Sequence, residues 1–221
     1  MGGFVTGTGA VARRAYAGRS AADRRAERRE RLMSAGLELF GGVGYAAASI
    51  ERLCSQAGVS TRNFYEEFAS REDLLMRLHD RILERSAEAV LAAWADTEDA
   101  PVAERLARAV RAFVTTTASD PRWARLSFVE IIGVSDAVEA HRIAWRERWT
   151  AMLVAETERA VARGEAAARD FRLGAVGLIG AVNELVHHHS IGGGRDGSLD
   201  DVIAEIVRIA AGILAVPPLR N

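Results

Sequence analysis

Apolar residues recur three or four positions apart along most of the chain from residue 23 onward, which is the spacing of one face of an α-helix. In the first part of the chain this pattern predicts a charged helix that begins at Asp23 and a short helix after Ser49. A seven-residue helix over residues 61–67 and a long helix over residues 71–94 follow. The polar break over residues 96–101 separates these helices from the rest.

The same spacing predicts a helical bundle after residue 101. One helix spans about residues 102–117, and Asp120 and Pro121 open a second, since proline is favoured at the first helical position. A third helix runs from Ser135 to about residue 163, and a fourth, over residues 171–190, is apolar nearly all round, which implies burial on several sides. Ser198 caps a final helix. The pattern therefore predicts an all-α protein of about nine helices.

The N-terminal part has the pattern of a helix-turn-helix. Gly58 ends the helix after Ser49, because a residue without a Cβ atom can adopt the left-handed conformation that terminates helices. Ser60 then caps the next helix through its hydroxyl. That helix keeps Phe64 and Phe68 on one apolar face and leaves its polar side chains free. Two helices joined in this way by a glycine turn form a helix-turn-helix, whose second helix enters the DNA major groove.

Residues 57–75 also carry a set of matching residues at fixed spacing, and the set resembles the DNA-binding domain of TetR-type transcriptional regulators. The preceding run, residues 32–50, is similar to the first helix of that family and its entry into the second. The resemblance implies a three-helix DNA-binding domain followed by a helical bundle that holds a small molecule. The matching residues are Ala57, Gly58, Val59, Ser60, Phe64, Tyr65, Phe68, Arg71, Glu72, Asp73, Leu74 and Leu75.

The side chains of the second helix suit the recognition of base edges. Asn63 can pair bidentately with adenine, Arg62 can pair with guanine, and Thr61 can contact a base or a thymine methyl group. The resemblance implies that Tyr65 and Arg71 hold phosphates, with a packing role for Tyr65 as the alternative. Serine hydroxyls at the helix starts can also meet phosphates. The predicted DNA-contacting residues are Ser49, Ser60, Thr61, Arg62, Asn63, Tyr65 and Arg71.

Two positions depart from the family pattern. Position 62 is often glycine in the family and is Arg62 here, so this side chain either reads bases or lies along the DNA backbone. Position 67 is often histidine or another neutral residue and is Glu67 here. Because a carboxylate near phosphates is repulsive, we expect Glu67 to point away from DNA or to lower the affinity.

The charge distribution supports a division into two parts. Residues 1–71 contain eleven arginines and seven acidic residues, whereas residues 72–221 contain eighteen arginines and twenty-three acidic residues, with no lysine anywhere. A basic front and an acidic rear suit a DNA-contacting end joined to another domain. We predict a disordered arm over residues 1–22, a helix-turn-helix domain over 23–70, and an effector-binding and dimerisation domain over 71–216.

Polar residues in the apolar helices of the bundle indicate a candidate ligand pocket. Asn183 and Glu184 lie in the apolar helix over residues 171–190, and buried polar groups need partners. Pockets between helices are mostly apolar with a few polar groups, and simple core packing is the alternative for each residue. The candidates are Phe113, Trp123, Phe128, Trp145, Trp149, Met152, Asn183, Glu184 and His187.

Three consecutive histidines, residues 187–189, suggest metal binding. Consecutive helical residues point about 100° apart, so the three cannot hold one ion together. Glu184 with His187 or His188 can form half a site that His141 completes, which makes a metal-dependent enzyme one alternative function. No catalytic triad, phosphate loop or carboxylate pair stands at an informative spacing. We therefore predict no enzyme activity, no cofactor and no metal.

The last two predicted helices carry more apolar surface than one bundle needs, which suggests a four-helix seam in a homodimer. The single cysteine, Cys54, is compatible with a reducing cytosol. The longest apolar run has ten residues, 173–182, against about twenty for a membrane span, so we expect a cytoplasmic protein.

The predicted function is a repressor that binds a palindromic DNA operator as a dimer and is released by an apolar or aromatic small molecule. A helical interaction protein without DNA binding is the second alternative.

Overall fold

Nine α-helices and one π-helical segment make up the described part of the chain, which comprises residues 20–192 and 197–215 of a computed structural model. The all-α prediction is confirmed. None of these helices is long and apolar enough to cross a membrane. The helices are α1 (Ala21–Gly42), α2 (Ile50–Ala57), α3 (Thr61–Glu67), α4 (Arg71–Ala95), α5 (Val102–Ala118), α6 (Pro121–Arg125), α7 (Asp136–Ala162), α8 (Arg172–Gly192) and α9 (Leu199–Ala215), with the π segment Leu126–Glu130 directly after α6.

The boundaries differ from the sequence prediction at the N-terminus. Helix α1 begins at Ala21 rather than at Asp23, because Ser20 and Asp23 form a reciprocal capping box. The predicted arm over residues 1–22 lies outside the described residues up to position 19.

The N-terminal head packs around one apolar core made by α1, α2, α3 and the first half of α4. Phe40 of α1, Leu53 of α2 and Phe64 of α3 are fully buried there, together with Leu74 of α4. Residues from the π segment and its surroundings complete this core, including Leu126 and Ile131. The core of the head therefore extends beyond residue 70.

The body forms a second core in which α5, α8 and α9 meet α7. Helix α4 reaches into the body as well, where Val90 and Trp94 pack with Ala109 of α5. A buried ion pair joins α5 to α7, with Arg105 Nε donating to Glu156 Oε1 at 2.5 Å. Helix α4 packs in the core of the head and in this cluster of the body, so it connects the two parts. Its 25 residues span about 38 Å at 1.5 Å per residue.

The predicted helix that Asp120 and Pro121 open changes its winding after one turn. Helix α6 ends at Arg125, and the next five residues form the π segment, in which the amide of Ile131 donates to the carbonyl of Leu126 at 3.2 Å. Such widened turns appear frequently at functional sites. This one lies between the two cores, since Leu126 packs in the head and Phe128 in the body.

Helix α6 approaches the end of α1 closely, at Gly41. A Cβ atom at Gly41 would lie 2.5 Å from Arg122 Cβ and 2.8 Å from Arg122 Cα. The neighbouring Gly42 has nothing within 4 Å of the corresponding position. The absence of a side chain at Gly41 thus allows the head and α6 to touch.

The substitution Gly41→Ala is expected to destabilise the protein by about 1–3 kcal/mol, because the added methyl group meets a backbone atom that cannot move aside. Its matched control, Gly42→Ala, is expected to stabilise by about 0.5–1 kcal/mol through the higher helix propensity of alanine. Urea unfolding of both variants measures the difference. Equal free energies of unfolding would contradict the close packing of α1 against α6.

Candidate functional site

The turn between α2 and α3 has the geometry that the sequence predicts. Gly58 adopts the left-handed conformation with φ of 62°, and the amide of Val59 donates to the carbonyl of Cys54 at 3.0 Å. Ser60 Oγ accepts a hydrogen bond from the amide of Asn63 at 3.2 Å, and Ser49 caps α2 in the same way. Both predicted caps are therefore present, and they fix where each helix begins.

Helix α3 presents its polar side chains outward. Phe64 and Phe68 are buried and anchor it, whereas Tyr65 is 56% exposed. The side chain of Arg62 is 89% exposed, and its Nε makes a loose ion-pair contact of 3.5 Å with Glu66 Oε1. Thr61 is exposed and Asn63 is half-buried. These side chains are arranged to reach a surface that approaches the helix from outside.

Glu67 points into the protein rather than outward. Its side chain is 1% exposed, and its carboxylate accepts from Arg28 Nη2 at 2.8 Å and from Arg25 Nε at 3.2 Å. Arg29 Nη1 also donates to the backbone carbonyl of Glu67, at 2.9 Å. The carboxylate is therefore neutralised by α1 and fixes α3 against that helix. Arg25 and Arg28 therefore join α1 to α3.

Arg71 lies beside the start of α2. Its Nη1 donates to the carbonyl of Ala48 at 2.9 Å, and its guanidinium stacks on the Tyr45 ring at 4.1 Å from the centroid. Ala48 immediately precedes Ser49, so the two predicted phosphate-contacting residues Arg71 and Ser49 lie close together. The stacking holds the guanidinium in place and leaves it half-exposed.

The body contains a cavity of about 350 Å³. Its wall is mostly apolar and comes from α4, α5, the π segment, α7 and α8. The rings of Phe113 and Trp149 meet edge to face in it, with centroids 4.9 Å apart. Seven of the nine predicted pocket residues line the cavity: Phe113, Phe128, Trp145, Trp149, Asn183, Glu184 and His187.

The other two predicted pocket residues lie elsewhere. Trp123 packs against the core of the head, with Arg85 over its ring at 4.9 Å from the centroid. Met152 packs against the small cluster formed by Val90, Trp94 and Ala109. Their helical spacing indicates an apolar face but does not say which core that face meets.

Several wall residues were missed from the sequence. Polar side chains among them are His79 on α4, Ser127 in the π segment, and Arg142 and Arg146 on α7. Ser127 interrupts an otherwise apolar stretch, which was the available signal, whereas His79 lies among charged residues in the sequence. The two arginines carry no such signal, because charged residues are frequent along the whole of α7.

A network of polar side chains lies where α4 meets α7. His79 Nδ1 and His141 Nε2 are 3.0 Å apart, so one ring donates to the other. Trp145 Nε1 donates to Asp80 Oδ1 at 2.8 Å, and the same carboxylate lies 3.6 Å from His141 Nε2. Burial lowers the pKa of His79 to about 3, and the charges of His141 and Arg142 add to this effect. The imidazole of His79 is thus neutral in the folded protein at ordinary pH.

The histidine run has a structural partner. His187 Nδ1 donates to the carbonyl of Phe128 in the π segment at 2.5 Å. His188 is exposed and His189 is half-buried. Within residues 20–192 and 197–215, no three His, Cys, Asp or Glu side chains are placed to hold a metal ion.

Two family models match this chain. One, described as bacterial regulatory proteins of the tetR family, matches residues 32–78. The other, described as the tetracyclin repressor-like C-terminal domain, matches residues 99–214, which is more than half of the chain. The chain belongs to the tetR family. Because the members of this family are regulatory proteins, the prediction that the chain is not an enzyme is confirmed.

Two curated relatives share part of this TetR-family chain. The transcriptional activator FasR of Mycolicibacterium smegmatis is 34% identical over 104 residues, which are 47% of each chain. The uncharacterized regulator YerO of Bacillus subtilis is 38% identical over 50 residues, which are 23% of this chain and 17% of YerO. The matched part therefore spans about half the length of FasR and less of YerO.

Solved structures share the fold of this TetR-family chain over most of its length. The regulator FadR of Bacillus subtilis, solved with stearoyl-CoA, superimposes with a TM-score of 0.70 at 19% identity, covering 84% of this chain and 97% of FadR. A putative TetR-family regulator from Syntrophomonas wolfei gives a TM-score of 0.76 at 16% identity, covering 89% and 99%. At these identities the similarity establishes the fold alone.

The buried imidazole of His79 predicts a pH dependence of stability. In the unfolded chain His79 has an ordinary pKa of 6.5, whereas its pKa in the folded protein is about 3. Between these values the unfolded state binds more protons, so the free energy of unfolding falls as the pH is lowered, by at most about 1.4 kcal/mol per pH unit. Urea unfolding near pH 7.5 and near pH 5.5 should therefore give a shallower pH dependence for His79→Gln than for the parent. An identical pH dependence would show that His79 is not held neutral.

Proposed function

We propose that this protein is a dimeric transcriptional regulator that binds a palindromic operator and releases it when a small effector enters the body. The observation that carries the proposal is the outward face of α3, whose polar side chains project from a buried aromatic anchor. The cavity in the body supplies a place for the effector. We propose that the protein represses transcription by occupying the operator.

Operator recognition divides between base edges and phosphates. Arg62 is proposed to pair with guanine and Asn63 with adenine, since these side chains match the acceptors and donors of those bases in the major groove. Thr61 contacts a base or a thymine methyl group. Tyr65 and Arg71, with the hydroxyls of the helix caps Ser49 and Ser60, contact phosphates, which set the register without reading sequence.

The position of Glu67 favours DNA binding over a head that has lost it. A carboxylate on the outer face of α3 would repel phosphates and would favour the alternative of an interaction protein without DNA binding. The carboxylate is instead buried and paired with Arg25 and Arg28. The outer face of α3 therefore carries Arg62 and neutral polar residues together with one carboxylate, that of Glu66, which lies 3.5 Å from Arg62 Nε and 3.4 Å from Arg28 Nη2.

The dimer is proposed to form through α8 and α9. Helix α8 exposes Leu173 and Ile191, whose relative exposures are 82% and 62%, with Val176 between them. On the same side, a Cβ atom at Gly177 would have nothing within 4 Å. Small residues beside exposed aliphatic ones allow the close approach of a second helix pair. A twofold axis through this seam would place two copies of α3 about 34–36 Å apart, one turn of DNA.

The effector is proposed to be an apolar or aromatic molecule that occupies the cavity. The mainly apolar wall supports this, as does the stearoyl-CoA bound in FadR. A ligand that fits better when the two heads are wrongly spaced for DNA shifts the population away from the binding form. Couplings of about 1–3 kcal/mol are typical of such allostery. Helix α4 and the π segment each contribute to the cavity wall and to the core of the head.

Substitutions in α3 test the recognition roles. Arg62→Ala and Asn63→Ala are expected to change the preferred base at their contact position, with a loss of about 1–3 kcal/mol for the original base. Tyr65→Phe is expected to lower the affinity for all DNA sequences alike. Binding arrays of operator variants, repeated at two salt concentrations, measure both effects, since phosphate contacts make the affinity fall with salt. Unchanged base preference in both alanine variants would remove the assignment.

A charge placed in the proposed seam tests the dimer. Gly177→Arg is expected to give a folded monomer, because two buried guanidinium groups would face each other without partners. Ala103→Arg, at an exposed position on α5, is the control and should remain dimeric. Sedimentation at micromolar concentration distinguishes the two states. A parent protein that sediments as a stable monomer would refute the seam altogether.

A further inference from the structure

Among the described residues, buried hydroxyl groups in the helices and next to them are almost all satisfied. Five of them donate to a carbonyl oxygen three or four residues earlier, at distances of 2.6–2.9 Å. This is the usual way in which a serine or threonine is accommodated inside a helix. The five are Ser86, Thr97, Thr117, Thr150 and Thr157.

Ser127 is the exception among the described residues. Its side chain is buried, with 8% relative exposure for the residue, and its Oγ has no hydrogen-bond partner in the described part of the protein. Ser127 lies in the π segment and lines the cavity. Its hydroxyl is therefore a donor available at the cavity wall.

Two tryptophans add further donors to the same wall. The indole Nε1 atoms of Trp94 and Trp149 are buried and have no partner among the described residues, and both side chains line the cavity. They belong to one small cluster around Val90 and Ala109. Trp145 shows the contrast, since its Nε1 donates to Asp80 although its ring lines the same cavity.

We propose that the effector carries a hydrogen-bond-accepting oxygen, such as a carbonyl, in the part that lies against Trp94, Ser127 and Trp149. A buried donor without an acceptor is unfavourable, and an indole N–H can only donate, so a ligand that fills this part of the cavity binds better when it offers an acceptor to these groups. The inference rests on the proposed function, in which the cavity holds the effector. It selects oxygen-bearing apolar molecules and disfavours pure hydrocarbons.

A pair of probes that differ in one carbonyl tests this directly. Benzophenone and diphenylmethane each have two phenyl rings joined through one carbon, and only the first offers an acceptor. The rise of the thermal unfolding midpoint with probe concentration gives a dissociation constant for each. Benzophenone is expected to bind roughly fivefold to tenfold more tightly, as one additional hydrogen bond would give. Equal or tighter binding of diphenylmethane, or binding of neither probe, would overturn the proposal.

Variants that lack one donor each show which donor the carbonyl of the probe contacts. Ser127→Ala, Trp94→Phe and Trp149→Phe each remove one donor, and the preference for benzophenone should fall in at least one of them. Ser86→Ala is the matched control, because it removes a buried hydroxyl outside the cavity and should keep the preference. Asn183 and Arg142 also offer donors at the wall. Full preference in all three variants would assign the selectivity to those residues and overturn the proposal.

The protein without probe gives a second readout. Ser127→Ala removes an unsatisfied hydroxyl, whereas Ser86→Ala removes a hydrogen bond of 2.8 Å. The unfolding midpoint of Ser127→Ala should therefore lie about 2–4 °C above that of Ser86→Ala. A midpoint at or below that of Ser86→Ala would show that the Ser127 hydroxyl is already satisfied.

These measurements use the free protein. A failure here leaves operator binding untouched, and a failure to bind DNA leaves the probe selectivity standing. The two proposals can therefore be rejected separately.

Discussion

One carboxylate, that of Glu130 at the end of the π segment, joins the head to the body. It accepts hydrogen bonds from the backbone amide of Tyr45 and from Arg125 Nε, both at 2.8 Å. Arg125 Nη1 donates in turn to the carbonyl of Gly42 at 2.5 Å. Gly44 lies between these contacts with φ of 97°, and a Cβ there would lie 3.1 Å from Glu130 Oε2. The loop between α1 and α2 is thereby fixed to the segment that carries Ser127 and Phe128 into the cavity wall.

Side-chain contacts join the helices of the head to one another. The buried carboxylate of Glu67 joins α3 to α1, and Arg29 stacks on the Phe68 ring at 4.4 Å from the centroid. Arg71, at the start of α4, stacks on the ring of Tyr45, and the backbone amide of Tyr45 donates to Glu130. The proposed release of DNA requires that a change at the cavity wall reach α3, and these contacts join α3 to the loop that Glu130 holds.

Much of the fold follows from short-range sequence signals. Ser49, Gly58 and Ser60 act through their nearest neighbours in the chain, so their roles in the two helices and the turn were readable from the sequence. The apolar spacing also gave the order of the nine helices. The break of the sixth predicted helix at Leu126 was not readable, because the π segment depends on how α6 packs between two cores.

The candidate site was only partly predictable, because its side chains contact residues that are distant in the sequence. Glu67 was recognised as a departure from the family pattern, but its pairing with Arg25 and Arg28 joins residues about forty positions apart. Trp123 and Trp149 have similar local surroundings in the sequence, and only the packing assigns one to the head and the other to the cavity. His79 reaches the wall because α4 meets α7, which its own neighbours do not reveal.

The most direct measurement is the distance between spin labels on the two copies of α3, by dipolar spectroscopy of a Cys54→Ala, Arg62→Cys protein. If Glu130 fixes the heads to the body, the free dimer should give a defined distribution, and adding Glu130→Ala should broaden it. Superimposable distributions with and without Glu130→Ala would contradict the account, as would the absence of any dipolar coupling between two copies.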